Sequence, residues 1–532
     1  MYSQLLSHPD VHDSMSNTRP PRLLVLACTV LLVVPMFFIG CDFGSTNDDP
    51  TAPNTINPDL LFTRSLVYGT LRYDVYQRSQ HLFGNMYAQY VANLVPNFPT
   101  DRYETSGAYD NWAEAFWNTS YAAYGGGANV GENVSNPGIN IQQAIELTQD
   151  DPQLVNKTAI ARIWKVWLLH RVTDAWGDVP YSEAYQGDEG NRTPVYDPQE
   201  EIYRDMLAVL EQSAEAIDPS ISGGSFRFGD ADVLFNDDLT RWRRFANALR
   251  LRLAIRASEA APSLAEQHVR DVLSSGEVMQ GNDDSARLIM GTAEGEFVNS
   301  NPLSIIAGFG DERVSELAVQ ILSDRNDPRI GEIADTTITF PRDGVLYRGL
   351  PNGLSASELN GIQSFRYSRI GDRFREADNP VPVILYPEVE FLQAEAALRG
   401  WASTTAEDHY EAGIRASLEM YGIDDPTTVD NYLQEPNVAW PASGTFEEKL
   451  EAIITQKWIA IYTQGFEAWA EQRRTGYPEL LTISGQGATG GEVPTRILYP
   501  NVERSLNSAN VNEAAQRMGG DTPTTRVWWD VD

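Results

Sequence analysis

Apolar side chains recur at helical spacing through most of the chain. In KTAIARIWKVWLLHRVTDAW, residues 157–176, they fall on one face of a helix, and TRWRRFANALRLRLAIR, residues 240–256, repeats the pattern. The best-marked segment is TFEEKLEAIITQKWIAIYTQGFEAWAEQRRTGYP, in which Thr445 and Glu448 form a capping box and a glycine and a proline mark the end. The periodicity predicts three long helices, the last one continuous through QGFEAW.

Shorter helices are predicted at 58–93, 109–134, 199–217, 262–276, 313–324, 387–400, 406–421 and 501–517. Several lie in adjacent pairs. One pair places small residues and a tyrosine at its seam, roughly as a tetratricopeptide unit does, at Ala394, Ala397, Gly400, Ala406, Tyr410 and Ala416. The predicted fold class is therefore mostly α, a scaffold of tetratricopeptide-like helix pairs with its helices at about 157–276 and 387–475.

Two irregular excursions interrupt this scaffold, at about 94–112 and 278–385. The second is rich in Gly, Asn, Asp and Ser and contains strand-like pieces such as TTITF and PVPVILY. Long excursions from a rigid scaffold commonly carry binding residues. We therefore expect these two excursions to form the binding surface.

The N-terminal region has the layout of a secretory signal peptide. Arg19 and Arg22 precede the apolar run Leu23–Ile39. The run has 17 residues, fewer than the roughly 20 that span a bilayer comfortably. An uncleaved membrane anchor remains the alternative, and either Met1 or Met15 is the start.

The segment FFIGCDFGSTNDDP ends the apolar run on a cysteine. Phe38-Ile39-Gly40-Cys41 resembles the lipobox of bacterial lipoproteins, in which the cysteine is acylated and becomes the new N-terminus; a chance cysteine is the alternative. The residues after it have the composition of a flexible spacer. We predict a lipoprotein signal peptide at 1–40, an acylated tether at 41–59 and one helical domain at 60–532.

Charge and motifs narrow the classes of function. The net charge of −34 opposes binding to nucleic acid. The sequence has no HExxH and no GxSxG motif, and with 74 acidic residues the spacing of carboxylates is not diagnostic. Four acids in DADVLFNDD could reach a calcium ion but lack the EF-hand order, so we interpret them as an acidic turn: Asp230, Asp232, Asp237 and Asp238. We predict no enzymatic activity, no catalytic residue, no cofactor and no metal.

Two conspicuous motifs are interpreted as structural. Asp174 and Asp178 lie in TDAWGDVPYSEA, where glycine and proline form good turn chemistry after a helix. The arginines of RWRRFANALRLRLAIR are expected to pair with neighbouring acids and to solvate a helix face.

Five stretches in order give the chain its resemblance to a known family: RVTDAWGDVPYSEAY…PVYDPQEEIYRDML, DLTRWRRFANALRLRLAIR, PVILYPEVEFLQAEAALRGW, EAIITQKWIAIYTQGFEAWAEQRRTGYP and RILYPNVERSLNSANVNEAAQ…VWWD. With the lipobox they resemble the SusD/RagB family of outer-membrane nutrient-binding lipoproteins. The match is weaker at 60–135 and 278–385.

The resemblance implies a tetratricopeptide-like helical fold, lipid-anchored through Cys41 at the outer membrane of a Gram-negative cell. It also implies a partner, a SusC-type TonB-dependent barrel transporter that the protein caps like a hinged lid. An oligosaccharide is the favoured nutrient. The alternatives are peptide capture in the same role, a surface glycoside hydrolase, or a tetratricopeptide-like assembly scaffold.

Sugar rings stack their apolar C–H faces on flat side chains, while their hydroxyls need polar partners. On that reasoning nine residues of the excursions are predicted to contact the ligand, with Trp112 the foremost: Phe98, Arg102, Tyr103, Tyr109, Asn111, Trp112, Tyr347, Phe365 and Tyr367.

Overall fold

The computed structural model describes residues 56–70, 73–121, 124–125, 133–134, 136–291, 300–337, 344–483 and 487–531. The predicted signal peptide and most of the predicted tether lie outside these residues. Over the described part the chain is mostly helical, which confirms the predicted fold class. None of the described helices has the length and apolar character needed to cross a membrane.

The α-helices, in chain order, are α1 Pro58–Gly69, α2 Tyr73–Tyr76, α3 Tyr109–Tyr121, α4 Pro137–Glu146, α5 Val155–Trp176, α6 Gln199–Ala216, α7 Leu239–Arg256, α8 Pro262–Ser275, α9 Pro302–Phe309, α10 Glu316–Ser323, α11 Ile330–Ile333, α12 Ala356–Leu359, α13 Tyr386–Leu398, α14 Ala406–Met420, α15 Pro426–Leu433, α16 Phe446–Ala460, α17 Gly465–Thr475, α18 Asn501–Leu506 and α19 Ser508–Met518. A π-helix spans Gln77–Asn85. The strands are β1 Val91–Asn93, β2 Tyr124–Gly125, β3 Asn133–Val134, β4 Ala286–Leu288, β5 Glu312–Val314 and β6 Val381–Ile384.

The strands form three antiparallel pairs, β1 with β5, β2 with β3 and β4 with β6. Two of the predicted helices end earlier than expected because strands follow them. The helix predicted at 58–93 is divided, since α1 ends at Gly69 and α2 leads into the π-helix, which gives way to β1. The helix predicted at 109–134 ends at Tyr121 before β2. The helix predicted at 501–517 is divided at Asn507 into α18 and α19.

Consecutive helices pack in pairs, as predicted for the scaffold: α5 with α6, α6 with α7, α7 with α8, and α13 with α14. The α13–α14 seam shows why small residues are needed there. A Cβ atom at Gly413 would lie 2.8 Å from the ring of Phe391. Tyr410 fills the seam, and its hydroxyl donates to the carbonyl of Val438 at 2.6 Å.

The helix predicted to run continuously through QGFEAW is two helices, α16 and α17. Thr463 breaks it with a φ of +79°, and the freed carbonyl of Thr463 accepts a hydrogen bond from Nε2 of Gln80 at 3.0 Å. The break brings Gly465 against the π-helix, where a Cβ atom would meet the backbone nitrogen of Asn85 at 2.2 Å. A straight helix could not make this backbone crossing.

Buried ion pairs join the scaffold helices. Arg256 is fully buried, and its guanidinium pairs with Asp174, Glu467 and Glu471. Arg252, equally enclosed, makes a two-pronged contact with Glu388. The predicted pairing of these arginines with acids is confirmed, but the expected solvated face is wrong for this half of α7, because α13 and α17 cover it.

The other structural interpretations also hold among the described residues. Asp178 accepts the backbone N–H of Gln199 at 2.8 Å and pairs with Arg517. Asp232 accepts Nε1 of Trp242 at 2.6 Å and three backbone N–H groups. These carboxylates are occupied by turn and packing contacts.

Candidate ligand-binding surface

The two excursions meet, as the sequence analysis expected. Strand β1 pairs with β5 in the register Val91 to Val314 and Asn93 to Glu312. Past the strand, the N–H of Leu94 donates to the carbonyl of Asp311 at 2.7 Å. The junction therefore carries both excursions on one small sheet.

The two excursions make a second contact, through the hydrogen bonds of a buried carboxylate. Asp101 accepts Nδ2 of Asn352 at 2.6 Å and the N–H of Gly353 at 3.3 Å. Burial raises the pKa of Asp101 to about 6, although these hydrogen bonds oppose the shift. The carboxylate is 2% exposed and so holds the loops together rather than facing a ligand.

Four of the predicted ligand residues are buried, so the expectation that they face the ligand is wrong. Tyr103, Tyr109 and Trp112 are 1%, 2% and 6% exposed, and Arg102 is buried against Glu104. Tyr109 and Trp112 meet the ring of Phe83 edge-on, with centroids 5.2 and 6.4 Å away. A ring enclosed on both faces cannot stack on a sugar.

A signal for this burial was present in the sequence. Tyr109, Trp112 and Phe116 follow one another at the spacing of a single helix face, and all three point into the core from α3. The hydroxyl of Tyr109 accepts the N–H of Leu498 at 3.0 Å, so its polar atom is also used internally.

The remaining predicted residues keep accessible surface and stay predictions. Phe365 is 47% exposed on a 3-10 turn, and Asn111 is exposed on α3. Tyr347 and Tyr367 are partly exposed and lie on two neighbouring backbone segments. Phe98 packs edge-on against Trp112, with its centroid 5.1 Å away, and retains one open side.

The structure adds a residue that the sequence analysis missed. Phe309 ends α9 and is 50% exposed. The guanidinium of Arg313 ties the end of α9 to the turn that carries Phe365, because Nη1 donates to the carbonyl of Gly310 at 3.1 Å and Nε to that of Ser364 at 2.9 Å. The amphipathic pattern of α9 does not show this placement, since it depends on the turn around Ser364.

These residues define the junction surface: Phe98, Asn111, Phe309, Tyr347, Phe365 and Tyr367. Arg313 is itself buried, 7% exposed, and holds the backbone next to two of them. Burial and the nearby Arg369 lower the pKa of Arg313, which marks local positive charge on a strongly acidic chain. The surface combines aromatic faces with an amide. That combination suits a neutral, hydroxyl-rich ligand held from one side.

Two other concave regions lie outside the junction surface. A polar cleft of about 470 Å³ lies between α4, α5 and α6, where Asp197 is engaged by the N–H groups of Tyr181 and Ser182. A groove of about 140 Å³ lies beside β6 and is lined by Tyr421, Tyr462 and Phe374. The described residues contain no group of three or more His, Cys, Asp or Glu side chains that could hold a metal ion.

A known protein family matches this sequence over most of its length. The SusD-like family model, described as starch-binding and associating with the outer membrane, matches residues 50–500. A solved chitin-binding protein is 32% identical, with a TM-score of 0.77, over 90% of this chain and 100% of its own. No curated protein sequence matches.

Two further solved structures show the same likeness. A chitin-binding SusD homologue from Flavobacterium johnsoniae is 29% identical, with a TM-score of 0.75, over 90% of this chain and 98% of its own. A SusD homologue from Bacteroides uniformis is 27% identical, with a TM-score of 0.75, over 90% of this chain and 100% of its own. Since the family model covers far more than half of the sequence, the chain belongs to the SusD-like family.

Proposed function

We propose that this protein captures an oligosaccharide at the outer membrane of a Gram-negative cell, without hydrolysing it, and passes it to a SusC-type TonB-dependent barrel that it caps as a lid. The observation that carries the proposal is the likeness, over nearly the full length of both chains, to two proteins described as chitin-binding. Chito-oligosaccharides are accordingly the first ligands to test.

The junction surface supplies a physical basis for this choice. Phe309 and Phe365 each offer about half of their surface to solvent, next to backbone that the same arginine, Arg313, holds in place. Pyranose rings present C–H faces that pack on such rings. A one-sided surface of this kind also allows release, as delivery to a transporter requires.

Calorimetric titration of the purified chain tests the ligand class. We expect binding of chitohexaose, weaker binding of maltohexaose and none of a mixture of short peptides. Phe365→Ala removes one stacking face, worth about 1 kcal/mol by analogy with aromatic pairs, and should weaken binding about fivefold. Phe446→Ala is the matched control, because Phe446 is 39% exposed on α16, outside both excursions.

Tight peptide binding with no affinity for either sugar would replace glycan by peptide capture. Equal affinity of both phenylalanine variants and wild type for chitohexaose would move the binding site away from the junction surface. Cleavage of the bound oligosaccharide by the purified protein would overturn the non-enzymatic part of the proposal.

The anchor and the partner are tested in cells. Cys41 is the proposed acylation site, so Cys41→Ser should move the protein from the membrane fraction to the soluble fraction. Mild detergent extraction of wild type should recover the barrel transporter with it. Unchanged fractionation of the variant would contradict the lipid anchor.

A further inference from the structure

A small cavity of about 50 Å³ lies beneath the groove beside β6. Its walls come from α5, from β6, from the linker between α16 and α17, and from the start and end of α17. The cavity therefore lies where the helix break described above meets the longest helix of the scaffold. It is separate from the junction surface, none of whose residues lines it.

Buried nitrogen atoms without a hydrogen-bond partner are concentrated on these walls. Five of the lining residues each have one such atom within the described structure: Trp167 Nε1, His170 Nδ1, Arg171 Nε, Gln464 Nε2 and Arg473 Nη2. Four of these side chains are more than nine-tenths buried, Arg171 being the partly buried one. Buried polar atoms of a folded protein are nearly always paired, so a cluster of exceptions needs a cause.

All five atoms are donors. Tryptophan, arginine and the amide nitrogen can only donate. For His170 the tautomer follows from its neighbour, because Nε2 lies 3.5 Å from Nη1 of Arg252, which carries only hydrogens. Nε2 is then the acceptor, and the proton of the neutral ring lies on the unpaired Nδ1.

The two carboxylates on the walls are already in use. Asp174 accepts from Arg256, Tyr203 and Trp529. Glu467 accepts from Arg256 and Lys457. Among the described wall residues, no buried side-chain oxygen is left without a partner.

The arginines of the cavity walls also favour an anion. Three arginines line the cavity, Arg171, Arg252 and Arg473, together with the carboxylates of Asp174 and Glu467. Arg252 is paired with Glu388 and Glu467, whereas Arg171 and Arg473 each retain an unpaired N–H. Burial and Arg252 lower the pKa of Arg171 to about 9, and burial lowers that of Arg473 to about 9 despite Asp530 and Asp174. Burial and two arginines hold the pKa of His170 well below its usual value. The cationic forms of Arg171, Arg473 and His170 are therefore destabilised, whereas Arg252, despite its burial, has a raised pKa because of Glu388 and Glu467.

Water alone satisfies this set of buried donors poorly. A water molecule that accepts from these groups must also place its own two protons, and both wall carboxylates already accept hydrogen bonds. A small anion accepts from every one of these donors. The cavity has the volume of a few water molecules, which is enough for one halide ion.

We propose that this cavity is a binding site for a small monovalent anion, a halide such as chloride, held by the N–H groups of Trp167, His170, Arg171, Gln464 and Arg473. The ion ties α5 to the linker that breaks α16 from α17. It enters through the groove beside β6, which shares Tyr76, Val381, Pro382 and Thr463 with the cavity walls.

The groove itself favours anions. Arg287 and Arg373 line it. Arg287 makes no side-chain hydrogen bond or ion pair with the described residues, and burial together with the neighbouring Arg241 lowers its pKa. Two guanidinium groups at the approach concentrate anions around a chain whose overall charge repels them.

Thermal unfolding in sodium chloride and in sodium gluconate at equal ionic strength tests the site. Gluconate is too large for the cavity, so wild type should show a saturable rise in Tm of about 2 °C or more with chloride only, because the ion binds the folded state. Gln464→Glu places a carboxylate among the same donors and should abolish the chloride dependence. Gln472→Glu adds the same charge on α17 outside the cavity and should keep it.

A crystal soaked in sodium bromide gives a second, independent reading. An anomalous peak inside the cavity, within hydrogen-bond distance of Trp167 Nε1 and Arg473 Nη2, is the expected result. If Gln464→Glu does not fold, Gln464→Met removes the donor without adding charge and should weaken the chloride effect. Ordered water without bromide, or an identical Tm in the two salts, would overturn the proposal.

Discussion

Trp112 is the residue at which the structure departs most clearly from the expectation, because it is buried and was predicted to contact the ligand. Its replacement by alanine distinguishes the two roles. On the sequence alone it is a sugar-stacking residue, and its loss should cost affinity. In the structure it is 6% exposed and lies between Phe83 and Phe98. We therefore expect Trp112→Ala to lower the free energy of unfolding, with affinity for chitohexaose affected only as far as the fold is loosened.

The magnitude follows from the area involved. A buried tryptophan removes roughly 150–250 Å² from water, which at about 25 cal/mol per Å² is worth about 4–6 kcal/mol. Alanine keeps a small part of this, and the cavity left behind adds a cost, so the net loss is about 3–5 kcal/mol. The two edge-on ring contacts are lost as well.

Guanidinium unfolding of wild type and variant, followed by tryptophan fluorescence and far-ultraviolet circular dichroism, gives the difference in free energy. Trp401→Ala is the matched control, since Trp401 is a partly exposed tryptophan at the end of α13, and its replacement should cost less than half as much. A loss below about 1 kcal/mol for Trp112→Ala together with weakened sugar binding would show that its ring faces the ligand and would refute the burial argument.

Two further changes test the packing and the buried charges. Gly465→Ala should destabilise the fold by about 1–3 kcal/mol, because its Cβ atom would lie 2.2 Å from the nitrogen of Asn85; an unchanged Tm would show that the crossing relaxes. Burial alone would raise the pKa of Glu471, but Arg474 and Lys457 lower it from 4.5 to about 2. Its contribution is therefore present above pH 4.5 and lost as the pH falls towards 2, so acid titration of Glu471→Gln should show a shallower loss of stability over that window than wild type. An identical pH profile would contradict this pairing.

The sequence by itself determined the scaffold. Helical periodicity, capping residues and the glycine and proline stops are local properties, and they correctly predicted α5, α6, α7, α8, α13 and α14 to within a few residues. The capping box at Thr445 and Glu448 is formed as predicted. The meeting of the two excursions was also foreseen, because both interrupt the same helical framework.

Only the tertiary structure decided which aromatic residues are exposed. Trp112 and Phe365 look alike in sequence, each an aromatic residue with polar neighbours in an excursion. Phe83 and Phe98 enclose the first, while Arg313 donates a hydrogen bond to the turn that carries the second. The helical spacing of Tyr109, Trp112 and Phe116 indicates an apolar face, but the residues that cover this face come from other segments, and only the fold identifies them.

The same reason explains the other differences. The break at Thr463 exists because Gly465 must pass the backbone of the π-helix, more than 300 residues earlier in the chain. Arg252 and Arg256 of α7 are buried among acids that come from α13 and α17. Periodicity reports which face of an element is apolar. What covers that face, and which charges and donors are left without partners beneath it, is fixed only when distant segments pack together.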